Sequence, residues 1–103
     1  MKYPKKLKIA GHNVKLKIKK DFQNDKKLMG DSFNAYNNIR ICSVFPKSQQ
    51  EATLLHEIFH HIFVNLGEYL DKGIHTEKNV EALAQAMYQI LRDNNLDFRN
   101  NKP

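Results

Sequence analysis

The chain has little of what stabilises secreted proteins or anchors membrane proteins. It contains one cysteine, Cys42, which cannot form an internal disulfide bond and fits a reducing cytosol. No apolar run is long enough to cross a bilayer. Residues 1–20 alternate apolar residues with lysine and lack the continuous apolar core of a signal peptide. We therefore expect a cytoplasmic protein with no membrane partner.

At 103 residues the chain can form one small domain with one modest core. Period-two alternation predicts two strands, Lys6–Ala10 and Val14–Lys20, with His12 in the turn between them. Two more short strands are expected at Phe33–Tyr36 and Ile39–Val44. The strands thus occupy about residues 6–44, and two helices follow at about 49–66 and 77–94. We expect an α+β fold with the helices packed on one face of a three- to four-stranded sheet.

Positive charge is concentrated at the N-terminal end. The formal net charge is +6, and many of the lysines lie between positions 2 and 20. Lysines that alternate with leucine and isoleucine are typical of the solvent-facing side of a half-buried sheet. A nucleic-acid interface is the alternative. Because this stretch lacks interleaved aromatic residues and arginines, we expect no direct nucleic-acid binding.

Residues 49–66 are predicted to form the first helix. Ser48 and Glu51 have the spacing of a capping box, and Gly67 follows the last apolar residue. Between these ends, apolar residues repeat at steps of three and four: Leu55, Ile58, Phe59, Ile62 and Leu66. The helix is apolar on nearly every side, so we expect it to be central and buried.

This helix contains the pattern His-Glu-x-x-His, formed by His56, Glu57 and His60. Residues four apart on a helix point the same way, so the two imidazoles can share one metal ion. Glu57 lies beside them, where its carboxylate can act as a general base on a water molecule. Unpaired polar groups in a core are costly, and metal binding would explain their presence. His61 points about 100° away from His60 and is expected on the polar margin of the helix.

The second helix, at residues 77–94, is expected to begin after Thr76 as N-cap. Its predicted core stripe is Val80, Leu83, Ala84, Met87, Ile90 and Leu91. A catalytic zinc ion usually has three protein ligands, and this helix offers Glu77 and Glu81. The helix dipole already explains an acid at Glu77. Glu81 is therefore the preferred third ligand, with Glu77 and then His75 as alternatives.

The segments HEIFHHI and VEALAQAMYQIL together resemble the ImmA/IrrE family of zinc metallopeptidases, especially its short phage and mobile-element members. In that family a glutamate that opens a Glu-x-x-Ala segment completes the metal site, and residues 81–84 match it. The resemblance implies Zn²⁺ held by His56, His60 and Glu81, with Glu57 as general base. It also implies a zincin-like fold and a bacterial host. The chain departs from the family at Gln85, where asparagine is frequent.

The expected function is zinc-dependent hydrolysis of a peptide bond in a protein substrate, such as a transcriptional repressor. Candidates for stabilising the developing oxyanion are Tyr36, His75 and Tyr88. We expect the substrate to bind in extended form along Ile39–Ser43, at an edge of the sheet. The alternative is a non-catalytic, zinc-stabilised phage inhibitor or antirepressor that only binds a partner.

Overall fold

The computed structural model describes residues 3–20, 29–33, 37–66, 73–94 and 96. These residues form four strands followed by two helices: β1 (Lys6–Ile9), β2 (His12–Lys19), β3 (Gly30–Phe33), β4 (Asn38–Cys42), α1 (Lys47–Leu66) and α2 (Glu77–Asn94). The predicted α+β class is confirmed. Neither of these helices is long and apolar enough to cross a membrane, a finding that covers the described residues alone.

The β1–β2 hairpin has a tighter turn than predicted. Ile9 pairs with His12, which leaves Ala10 and Gly11 as the turn residues. Both have positive φ angles, 50° for Ala10 and 83° for Gly11. Positive φ at both central residues gives a turn whose twist matches that of the strands. His12 is therefore the first residue of β2, and its predicted place in the turn is wrong.

The strand order is β1-β2-β4-β3. β4 runs parallel to β2 and antiparallel to β3, so both of its edges are paired. The prediction that Ile39–Ser43 offers an exposed edge is therefore wrong, and among the described strands the outer positions belong to β1 and β3. The third strand, Gly30–Phe33, begins earlier than the predicted Phe33–Tyr36. Residues 34–36 lie outside the described part of the chain.

One face of the sheet is buried and apolar, and the other is exposed and carries lysines. One face packs against α1 and forms the core, in which the buried residues are Ile9, Val14, Leu16, Ile39, Ile41 and Leu54. Gly30 is needed where β3 meets α1, since a Cβ there would lie 2.7 Å from Thr53 Cγ2 and 2.8 Å from the Arg40 carbonyl oxygen. The opposite face carries the exposed lysines of β1 and β2.

α1 begins at Lys47, two residues before the predicted start. The Gln50 N–H donates to the Pro46 carbonyl at 3.0 Å, so Ser48 lies inside the helix and the predicted capping box is wrong. The buried Gln50 side chain instead donates to the carbonyls of Ser43 and Phe45, at 3.3 and 2.7 Å. These bonds fix the start of α1 against the end of β4.

The most deeply buried residues of α1 are not the predicted ones, although Ile58 and Ile62 do pack against the core. The buried residues of α1 are Gln50, Leu54, Glu57, His61 and Phe63, whereas Leu55, Ile58, Phe59 and Ile62 are only partly buried. His61 is fully buried, so its predicted place on a polar margin is wrong. A helix that is apolar on nearly every side does not reveal which side meets the sheet, because several orientations bury similar apolar area.

α2 begins as predicted, with Thr76 as its N-cap. The Asn79 N–H donates to Thr76 Oγ1 at 3.1 Å, and the Val80 N–H donates to the Thr76 carbonyl at 2.9 Å. Val80 and Ala84 are fully buried. Other members of the predicted core stripe are exposed, so that part of the prediction is wrong: Leu83, Met87 and Ile90. Only a narrow strip of α2 is therefore buried.

Candidate metal centre

α1 and α2 bring two imidazoles and a carboxylate together. The Nε2 atoms of His56 and His60, which lie one helical turn apart on the same face of α1, are 3.2 Å from each other. Glu77, at the start of α2, reaches both rings. Its Oε2 lies 3.1 Å from His56 Nε2, and its Oε1 lies 2.9 Å from His60 Nε2. Each of the three residues offers one ligand atom, and these atoms lie within 4.8 Å of one another.

The other nitrogen of each imidazole also has a partner. Glu81 Oε2 lies 2.7 Å from His56 Nδ1, and His75 Nε2 lies 2.8 Å from His60 Nδ1. Partners of this kind fix the orientation of metal-binding histidines and select their tautomer. The structure thus brings Glu77 to the shared side of the two rings and Glu81 to the far side of His56. Ligation by Glu81 stays a prediction.

The donor set fits a zinc ion. Two imidazole nitrogens and one carboxylate oxygen, with room left for a further ligand, are typical of catalytic zinc sites. The side chains of His56 and His60 are mostly buried, with 17% and 15% of their surface exposed. The Glu77 side chain is 76% exposed. Burial lowers the pKa of His60 and so favours its neutral, metal-binding form.

Glu57 is a buried acid beside this cluster, with only 7% of its surface exposed. Burial raises the pKa of its carboxyl group, and a hydrogen bond with Ser32 and the charge of His56 oppose that rise. A carboxylate with increased proton affinity is suited to accept a proton and return it. Ser32 belongs to β3, so the edge strand contacts the group that the sequence pattern assigns to catalysis.

Two open cavities meet at His56 and Glu57. One has a volume of about 450 Å³ and extends along β3 past Ser32 to His60 and Glu77. The other, of about 390 Å³, runs between the two helices towards Glu81 and Gln85. An extended peptide bound along β3 would therefore pass the cluster.

The three candidates for oxyanion stabilisation have different positions. His75 lies at the cluster through its contact with His60. Tyr88 donates its hydroxyl proton to Glu51 at 2.8 Å and accepts from Arg92 at 2.6 Å, which joins α1 to α2 away from the histidines. Tyr36 lies outside the described residues. Within the described part of the chain, His75 is thus the only one of these candidates in contact with the histidine pair.

Sequence reasoning did not anticipate the contribution of Gly30, Ser32 and Met29 to the site. These residues line the cavities, but glycine, serine and aspartate in β3 are weak strand signals. No pattern in the chain reveals which strand neighbours the histidine helix.

No family model matches the chain, and comparisons with curated proteins and with solved structures found no match.

Proposed function

We propose that the protein is a zinc-dependent metallopeptidase with a minimal zincin-like fold, similar to the ImmA/IrrE family, that cleaves a protein substrate. The convergence of His56, His60 and Glu77 on one point is the observation that carries this proposal. Glu57 supports it further, since a buried acid beside a purely structural metal site would have no role. The two cavities that meet there provide space for a peptide.

The chain's own residues would divide the chemistry between them. His56, His60 and a glutamate of α2, with Glu77 favoured by its contacts, would hold the zinc ion. Bound zinc lowers the pKa of water from about 15.7 to about 7 and polarises a carbonyl group. Glu57 would accept the proton of the attacking water and donate it to the departing amine nitrogen. His75, whose Nε2 lies 2.8 Å from His60 Nδ1, would hold the His60 ring in its orientation.

The substrate would bind as an extra strand along β3 rather than along β4. β3 lies at the edge of the sheet, and Gly30 and Ser32 line the cleft beside Glu57. An edge strand offers unpaired backbone groups that align an extended peptide irrespective of most of its side chains. Specificity would then depend on the cavity between the helices and on further contacts with a folded substrate, such as a repressor.

The proposal is tested by comparing zinc-loaded wild-type protein with Glu57→Gln on a peptide library made from a bacterial proteome. Wild-type protein is expected to produce new fragments in mass spectrometry. Glu57→Gln should cut at least about 100-fold more slowly, as expected for loss of a general base, while its zinc content is unchanged. Glu51→Gln is the matched control on the same helix, because Glu51 contacts Tyr88 away from the cluster.

Equal cleavage by wild type and Glu57→Gln would contradict the proposed role of Glu57. Zinc binding without cleavage of peptides, or of proteins in a host lysate, would favour the non-catalytic inhibitor or antirepressor.

A further inference from the structure

The outer face of the sheet, opposite α1, carries a dense array of cations. We propose that this face binds single-stranded nucleic acid through its phosphate backbone. We call it the lysine face, and it comprises Lys6, Lys8, Lys15, Lys17 and Lys19 together with Phe33 and Arg40. The five lysines are all exposed. This surface lies outside the cleft and does not depend on the proposed peptidase activity.

The strand register places these cations side by side. Lys6 lies directly opposite Lys15, and Lys17 lies beside Arg40. Asp31 is the single acidic residue in the four described strands, and it forms an ion pair with Arg40. The five lysines therefore have no acidic counterpart within these strands.

This arrangement of cations lowers the stability of the folded protein when no ligand is bound. Like charges directly opposite each other on neighbouring strands are destabilising. Lys6 and Lys15 have this relationship across the antiparallel β1–β2 pair. A surface on which lysines are mixed with acidic residues would keep the protein equally soluble. A polyanion lying across the strands would convert the repulsion into attraction and release condensed counterions.

The shape of the face favours a single strand over a duplex. Neighbouring strands lie about 4.8 Å apart, so the outer two of four strands are separated by roughly 14 Å. The major groove of B-DNA is about 12 Å wide and admits a helix or a two-stranded ribbon. The sheet is too broad to enter that groove, whereas a flexible single strand can lie across it.

β3 and β4 supply an aromatic residue and an arginine, which the β1–β2 hairpin lacks. Phe33 is 44% exposed, and the Arg40 guanidinium carbon lies 5.1 Å from the centroid of its ring. An exposed aromatic ring next to cations is a platform on which a base can stack. The expectation of no nucleic-acid binding depended on the absence of an aromatic residue and an arginine among the lysines. The fold places Phe33 and Arg40 beside these lysines.

The test measures binding of the full-length protein to a fluorescent oligothymidylate of roughly 20 nucleotides by anisotropy. Between about 0.05 and 0.2 M salt, five phosphate contacts predict a slope of log affinity against log salt of about −3.5. Lys17→Gln should weaken binding about fivefold at about 0.1 M salt and reduce the slope by about 0.7. Lys78→Gln, which removes an exposed lysine from α2, is the matched control and should leave both values unchanged.

Phe33→Leu separates stacking from charge. It should weaken binding at least about fivefold with an unchanged salt slope, because the leucine side chain has no π-face. Circular dichroism would confirm that each variant is folded. The proposal is overturned by absence of binding, by equal effects of Lys17→Gln and Lys78→Gln, by tighter binding to duplex DNA, or by equal binding to polyglutamate of similar charge.

Discussion

Glu77 and Glu81 both contact His56, but from opposite sides of its ring. Glu77 lies near Nε2, the nitrogen that faces His60, and Glu81 lies near Nδ1. A hydrogen bond with Gln85 and the contact with His56 lower the pKa of Glu81, so that it is a carboxylate at neutral pH. Such a carboxylate orients an imidazole and increases its basicity. The two glutamates therefore contact different nitrogens of His56, although they lie one helical turn apart.

This difference can be measured with two alanine variants. Glu81→Ala should lower zinc affinity about 10–100-fold, the usual effect of losing a group that orients a ligand. Glu77→Ala should lower it further, because a ligand atom is lost. Competition with a chelator gives both affinities. The reverse order would assign the third ligand to Glu81, as the family resemblance implies.

His61 and His60 are adjacent in sequence but are expected to respond differently to substitution. His61 is fully buried; its Nε2 lies 3.4 Å from the Asn38 carbonyl oxygen, and its Nδ1 has no partner among the described residues. A buried unsatisfied polar group costs about 1–3 kcal/mol. His61→Leu should therefore raise the free energy of unfolding in urea by about 1 kcal/mol and leave zinc affinity unchanged.

His60→Leu is the comparison variant and should lose zinc binding. If His61→Leu also lost zinc, the buried histidine would have a role in the site that its position does not suggest.

The sequence could predict the relation of His56 to His60 because one helical turn determines it. It could not rank Glu77 and Glu81 in the same way, since their distances to His56 depend on how two helices cross. The helix dipole explains why an acid such as Glu77 is tolerated at a helix start. It does not prevent that acid from facing a metal site.

Among the elements, the hairpin and both helices were predictable to within a few residues, whereas β3 was not. The hairpin and helices have clear hydrophobic periodicity, which reports local structure directly. Gly30, Asp31 and Ser32 have low strand propensity. They form a strand because they pair with β4 and because Gly30 allows close approach to α1.

Gly30→Ala tests how closely β3 packs on α1. The new methyl group would overlap Thr53 Cγ2 and the Arg40 carbonyl, so the free energy of unfolding should fall by about 1–3 kcal/mol. Adding Thr53→Ser removes one of the two contacts and should restore part of the loss. Thr53→Ser alone is the control, and urea denaturation measures all three. A Gly30→Ala protein as stable as wild type would show that the two elements are farther apart.

In the whole molecule, the sheet separates two regions of different charge. The histidine and glutamate cluster lies on the helix side, and the lysine face lies on the other. α1 packs against β3 and β4 on one side and against α2 on the other. A domain of 103 residues buries a small core, so a metal ion joining α1 to α2 would add appreciably to its stability.

The proposed chemistry depends on a metal ion bound between the helices. Titration of zinc into the metal-free protein by isothermal calorimetry tests this most directly. Wild-type protein should bind one zinc ion per chain, and the double variant His56→Ala, His60→Ala should bind none at that site. Absence of zinc binding by wild type, or equal binding by the double variant, would contradict the assignment of this cluster as a metal centre.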